Sequence, residues 1–344
     1  LKRKELSKWK DEMLTYNKLP YSDGITPRQA IWKKNKATLW YYAASEKKYN
    51  VPLFLIYSLV NRPFVLDLME GGSSIEAFVS NGFDVYLLDF GVPGLEDKDL
   101  SIDDYVTDYI PKAVQKALNH ASVEEMTIVG YCLGGTLAAI YGAIAEESIK
   151  NIVLIVTPID FSEIPVFDKL LHAVRENDIS FDKYIEEIGI VPARNVEAGV
   201  RLITSPIYYS PYLSLLLRAD DPNYVERWIR FNTWTKGHIP LAGKTAKQIS
   251  EDLLKGNKLI KGQLKINGKQ VKLSNIHANL LVVVTENDRL VPKEQSIPIL
   301  EEVSSLDKNC EILQGGHTGT NIKKDNLPAY LAEWLPLRSE RLEK

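Results

Sequence analysis

Six short stretches of the chain are apolar with little alternation and only as long as a strand. They are Pro52–Leu59, Asp84–Leu88, Met126–Val129, Ile152–Val156, Leu280–Val284 and Cys310–Leu313. Runs that are apolar on both faces suit a parallel sheet covered by helices on both sides. Helical signals fall between them. Ser73-Ser74-Ile75-Glu76 is a capping box, and Gly82 is the stop that follows it. Ser101 caps a helix whose one face is Ile102, Tyr105, Val106, Tyr109, Ile110, Val114 and Leu118. Pro27–Tyr49 reads as helical, and Leu327–Leu335 as a closing amphipathic helix. Alternating strands and helices predict an α/β fold with right-handed crossovers. After Thr157-Pro158 the rhythm breaks and returns only near Leu280. The stretch between holds helical pieces, a Pro- and Tyr-rich run (Ser205–Tyr212), Trp228, Trp234 and a polar turn at Asn267-Gly268. The predicted organisation is therefore a helical N-terminal segment over 1–50, a core over 51–158 and 276–344, and a mostly helical cap over 159–275.

Composition narrows the class. The chain has 344 residues, 45% of them hydrophobic, which is ample for a large core. Its net charge of -3 comes from interspersed acids and bases, so no basic face calls for nucleic acid. Two cysteines make no disulfide framework and point to a reducing compartment. The longest apolar run, Val51–Val60, is about half of what a bilayer span needs. The first residues lack the pattern of a secretory signal, and a start at Leu1 rather than Met suggests a missing short leader. The expectation is a soluble cytoplasmic protein without a transmembrane segment.

Candidate chemistry centres on Gly130-Tyr131-Cys132-Leu133-Gly134-Gly135. A strand runs into this stretch and a helix leaves it at once, which is the context of a nucleophile elbow. Flanking glycines leave room for the tight turn. The helix N-terminus favours a thiolate at Cys132, and the Leu133 backbone N–H is a natural oxyanion donor. In the α/β-hydrolase fold the order is nucleophile, acid, histidine. Asp288 lies in the loop after the Leu280–Val284 strand, with Glu286 as its rival. His317 sits past the last strand, between Gly316 and Thr318-Gly319. The other four of the five histidines (His120, His172, His238, His277) have no such context and read as surface or insertion residues. The second oxyanion donor is expected from the Val60 or Asn61 N–H, in the loop after the first core strand. Arg62 in that loop fits either a structural or a phosphate-binding role.

Sulfur in place of the usual serine oxygen changes the chemistry. A thiolate that attacks a thioester makes another thioester, so acyl activation is conserved. A hydrolase does not need that conservation; a transferase does, and it must keep water from its acyl-enzyme. The apolar segment around Ile207–Leu217 is placed to cover such a site.

These residues resemble the polyhydroxyalkanoate synthases over nearly the whole chain. The box around Cys132 is similar to that family's lipase-like box, and Asn61-Arg62-Pro63 with Leu66-Asp67-Leu68 to its signature after the first core strand. Asp89–Tyr105 is similar to a segment of its short members, and the stretches from Asn275-Ile276 to Asp288 and around His317 match its acid and histidine regions. The resemblance implies polymerisation of (R)-3-hydroxyacyl-CoA, typically 3-hydroxybutyryl-CoA, into polyester with release of CoA, and no further cofactor or metal. By the same resemblance Cys132 carries the chain, His317 is the base, and Asp288 supports His317 or helps activate the 3-hydroxyl. The short class III or class IV type implies a second subunit, a homo-oligomer and a place at the surface of cytoplasmic polyester granules. Two departures stand out: Arg289 follows Asp288 where many members have His, and Thr318 follows His317 where an aliphatic residue is common. A cysteine-type hydrolase of esters or lactones is the competing enzyme. A non-catalytic partner-binding subunit is a third reading, and an intact Cys132, Asp288 and His317 argue against it.

Overall fold

The computed structural model describes residues 24–162, 182–204, 214–215, 217–218, 220–318 and 326–342. The Ser205–Tyr212 run, most of Ile207–Leu217, His172 and Gly319 lie outside them. Twelve strands are described. β1 (Gln29–Lys34), β2 (Ala37–Tyr42), β3 (Leu53–Ile56), β4 (Val85–Asp89), β5 (Glu125–Tyr131) and β6 (Ser148–Ile155) precede the insertion. β7 (Ile190–Val191), β8 (Leu241–Ala242), β9 (Lys265–Ile266) and β10 (Lys269–Gln270) form two small antiparallel pairs within it, β7 with β8 and β9 with β10. β11 (Asn279–Thr285) and β12 (Lys308–Leu313) follow. The main sheet runs β1-β2-β4-β3-β5-β6-β11-β12. From β4 to β12 every pairing is parallel, and β1 and β2 add antiparallel at one edge.

Five of the six runs do what their lack of alternation implies, whereas Cys310–Leu313, on the edge strand β12, stays exposed or half-buried. Phe54 and Ile56 pack on one face with Ile110, Val114 and Leu137. Leu53 and Leu55 pack on the other with Ile75, Phe78 and Leu331. Each face thus has its own apolar layer, as a sheet covered on both sides requires. The Ser73 hydroxyl accepts from Glu76 N at 2.9 Å, but the Glu76 carboxylate turns to Gly71 N, so the predicted box is half formed. Residues 102–121 bury their whole predicted face. They do so through a wide turn at Tyr105–Tyr109, where Ile110 N reaches back to Tyr105 O. Pro111, which has no N–H to offer the regular ladder, follows that turn directly.

Three expectations change. The helical reading of 1–50 fails over its described part: residues 29–42 are the β1–β2 hairpin, turned at Asn35 with φ 50°. Trp40, Tyr41, Tyr42 and Thr38 favour a strand, and pairing with β4 decides for it. The closing helix is shortened to Ala329–Ala332 between Pro328 and Pro336, although Leu331 and Leu335 are fully buried. The insertion is not one body of packing. Leu241, Leu253, Leu264, Ile266 and Val271 join the core of the sheet, whereas Leu215, Val225, Trp228 and Ile229 form a cluster of their own. Asn267-Gly268 is the turn of the β9–β10 hairpin, both residues at positive φ. Among the described residues, no helix is long and apolar enough to cross a membrane.

Candidate active site

The central strand β5 ends at Tyr131, and the helix Leu133–Ile144 starts two residues later. Cys132 between them has φ 51° and ψ -128°, a conformation that side chains rarely adopt. Its N–H donates to Ile155 O on β6 at 3.0 Å, and its carbonyl accepts from Gly135 N at 2.9 Å. The glycines are there for close approach. A Cβ on Gly134 would lie 2.4 Å from Ile56 O, and one on Gly135 only 1.9 Å from the Thr157 hydroxyl. Gly135→Ala is expected to lower the unfolding free energy by about 2 kcal/mol or more, seen as a lower urea midpoint. Thr157→Ala in the same chain should restore part of that loss, because it removes the atom met first. An unchanged midpoint in Gly135→Ala would contradict the packing. Leu133 opens the helix, so its N–H has no intrahelical acceptor and is available to an oxyanion beside Cys132.

The acid and the base come from the next two strand ends. Glu286 N donates to Leu313 O at 2.9 Å and Asn287 N to Gly315 O at 3.0 Å, which ties the loop after β11 to the loop after β12. The Asp288 side chain is fully buried. One of its oxygens, Oδ1, accepts from Leu290 N and Val291 N, each at 2.9 Å. The other, Oδ2, accepts from His317 Nδ1 at 2.8 Å. A carboxylate only accepts, so Nδ1 carries the proton and Nε2 is left for Cys132, to which His317 is also hydrogen-bonded. Burial opposes a charge on His317, but the neighbouring Cys132 and the hydrogen bond to Asp288 outweigh it, and its pKa is pushed up to about 10. Glu286, the rival acid, is half exposed and pairs with Lys293 at 2.6 Å. Its carboxylate is engaged away from His317.

A cavity of about 220 Å³ opens onto Cys132 and His317. Tyr57, Leu66, Met69 and Tyr131 line it from the core, and Thr318 lies at its edge. Arg227 and Phe231 line it from the helix Pro222–Thr235 of the insertion. Neither of the two residues expected to supply the second oxyanion donor is among the described residues that line the cavity. β3 ends at Ile56, so Tyr57 is the loop residue that borders the cavity, and Val60 and Asn61 lie past it. Val60 O accepts from Ile239 N at 3.2 Å, and the Asn61 amide donates to Trp234 O at 3.1 Å. Both clamp the insertion to the core. Arg62 O accepts from the Trp234 indole N–H at 3.0 Å, so the Arg62 backbone shares that clamp. Asp67 in the same stretch is a buried hub: it accepts from Ile25 N, from Thr26 N and hydroxyl, and from Ser73 Oγ. It thereby fixes the segment that carries Leu66 and Met69 into the cavity wall.

The other described histidines lie apart from this cluster. His120 Nδ1 is 2.9 Å from the Tyr86 hydroxyl, His238 pairs with Asn61 in an isolated bridge, and His277 is exposed. Cys310 is half-buried on the edge strand β12, and burial pushes its thiol up. Among the described residues, no group of three His, Cys, Asp or Glu side chains is placed to hold a metal ion. Arg227 and Phe231 were not singled out from the sequence, because nothing local marks which turn of an insertion faces a distant strand end.

Comparison with known proteins supports the fold. The alpha/beta hydrolase fold family matches residues 62–319. A poly(3-hydroxyalkanoate) polymerase subunit PhaC of Haloferax mediterranei is 33% identical over 93% of this chain, which spans 65% of that relative's length. Subunits of the same name from Thiocystis violacea and Allochromatium vinosum are 31% and 30% identical, over 92% and 91% of this chain and 90% and 89% of their own. Among solved structures, an alpha/beta hydrolase fold protein from Nakamurella multipartita superposes with a TM-score of 0.50 at 12% identity, covering 91% of this chain and 99% of its own. That likeness concerns the fold alone.

Proposed function

Since the chain belongs to the poly(3-hydroxyalkanoate) polymerase family, acyltransferases on an alpha/beta hydrolase fold, we propose that it polymerises (R)-3-hydroxyacyl-CoA through an acyl chain held on Cys132. 3-Hydroxybutyryl-CoA, the substrate that the family resemblance implies as typical, is the one to test first. The observation that carries this reading is the hydrogen-bonded line from Cys132 through His317 to Asp288, with sulfur at the elbow.

The steps balance without a further cofactor. The Cys132 proton passes to His317, and the sulfur attacks the thioester carbonyl of the substrate. The oxyanion that forms is met by the Leu133 N–H. The carbon–sulfur bond to CoA breaks, and CoA leaves as a thiol with the proton from His317. A thioester has replaced a thioester, so the acyl group stays activated. The 3-hydroxyl of another acyl unit then attacks the Cys132 thioester and gives its proton to His317. An ester bond forms and the sulfur is released to accept the next acyl group. Asp288 supports His317 in this scheme rather than activating the hydroxyl, because both its oxygens are engaged and it does not line the cavity.

The relatives from Thiocystis violacea and Allochromatium vinosum are named as subunits, which supports a second chain as partner. An insoluble product favours residence at the surface of cytoplasmic granules, and homo-oligomers belong to the same proposal. One assay tests the chemistry. The purified protein, with and without a second subunit, is given 3-hydroxybutyryl-CoA. CoA release with insoluble polymer is the expected result. CoA release with only free acid would replace the reading by a cysteine-type hydrolase, and no release in either condition would leave a binding role.

A further inference from the structure

We propose that Arg227, on the insertion, recognises the phosphate groups of the CoA thioester and so sets selectivity for CoA over shorter thiols at the lip of the cavity. The inference rests on the acyltransfer reading above and adds a residue and a ligand group to it.

Four observations converge. The helix Pro222–Thr235 buries Val225, Trp228 and Ile229 in the insertion's own cluster and turns Arg227 and Phe231, one helical turn apart, to the cavity of Cys132. Arg227 is exposed and has no acidic or hydrogen-bonded partner among the described residues. Its neighbours behave differently: Arg230 pairs with Glu226 at 2.9 Å and Arg201 with Glu197, each one turn away on its own helix. The positions one turn from Arg227 are Asn223 and Phe231, so its helix offers it no carboxylate. Among the described residues no acidic side chain lines the cavity either, so none of them offers Arg227 a counter-charge beside the reactive sulfur. The fourth observation is size. At about 220 Å³ the cavity is smaller than the roughly 300–1,000 Å³ that encloses a whole small ligand. It has room for a short acyl group and the start of the pantetheine arm. The nucleotide end, with its phosphates, must stay outside, where Arg227 is exposed. A guanidinium suits that contact because its planar fork can donate to two phosphate oxygens at once.

The test compares thioesters of one acyl group on different thiols. Wild type, Arg227→Ala and Arg227→Lys are assayed for thiol release from 3-hydroxybutyryl-CoA, its 3′-dephospho form and the N-acetylcysteamine thioester, which has no phosphate. The wild type is expected to prefer the CoA thioester over the N-acetylcysteamine thioester. In Arg227→Ala that ratio of kcat/KM falls by about tenfold or more, chiefly through KM for the CoA thioester, and lysine recovers part of it. A wild-type preference that drops with the 3′-dephospho substrate assigns the contact to the 3′-phosphate; one that persists assigns it to the pyrophosphate. An unchanged ratio in Arg227→Ala, or an equal fall with both thiols, overturns the assignment while wild-type turnover still upholds the acyltransfer reading. A wild type that releases thiol from none of the three removes that reading and this inference together.

Discussion

Cys132→Ala is expected to lose thiol release from 3-hydroxybutyryl-CoA by about 10⁴-fold or more, while Cys310→Ala keeps most of it. The difference follows from where the two sulfurs sit. Cys132 stands at a strand end, between the N-terminus of the helix Leu133–Ile144 and His317. Cys310 lies on the edge strand, where burial holds its thiol protonated. Cys132→Ser is the more discriminating variant. Its oxygen can attack the same carbonyl, but the product is an oxygen ester, and the thioester's activation is spent in the first step. Polymer formation should therefore fall far more than any slow release of CoA. The two readouts are free CoA and insoluble polyester, with urea unfolding as a check that the elbow still folds. Turnover in Cys132→Ala equal to the wild type would end the acyl-enzyme mechanism. Polymer yield in Cys132→Ser equal to the wild type would remove the role given to sulfur.

The second large effect is at Asp288. Asp288→Asn keeps the shape of the side chain but offers His317 Nδ1 an amide, which can hold the ring in the wrong tautomer. A loss of about 10³-fold or more in kcat is expected, from positioning rather than from contact with substrate. The pH behaviour separates this from simple damage. His317 is raised to about 10 against the pull of burial, by Cys132 and by the hydrogen bond and charge of Asp288. Removing the Asp288 contributions removes part of what favours the protonated ring. His317 must then lose its proton at lower pH than in the wild type. In Cys132→Ala, which removes the largest of the raising influences, the shift goes the same way. Titration of the His317 ring protons by NMR reads both directly. A His317 that titrates at the wild-type pH in Asp288→Asn would show that the 2.8 Å contact carries no electrostatic coupling.

Much of this protein is decided within short spans of sequence. A run such as Leu53-Phe54-Leu55-Ile56 must bury both faces, and the sheet does so. The elbow is legible because Gly130, Gly134 and Gly135 announce a backbone packed too closely for a Cβ. Asp288 and His317 are legible because each follows a strand that its own hydrophobicity identifies, and a parallel sheet puts those strand ends at one edge. What stayed hidden depends on partners far away in the chain. Residues 29–42 fall in a stretch that reads as helical, yet pairing of β2 with β4 makes them strands. Val60 and Asn61 sit at the expected distance along the chain from β3, but Trp234 and Ile239 hold them against the insertion. Arg227 and Phe231 have no local mark at all. Their place over Cys132 comes from how the helix Pro222–Thr235 docks. The sequence by itself determined which segments are buried and which residues can react, since hydrophobic period and backbone sterics are local. The tertiary structure alone decided what stands over the sulfur, because packing between distant segments depends on shapes and charges that no short stretch contains.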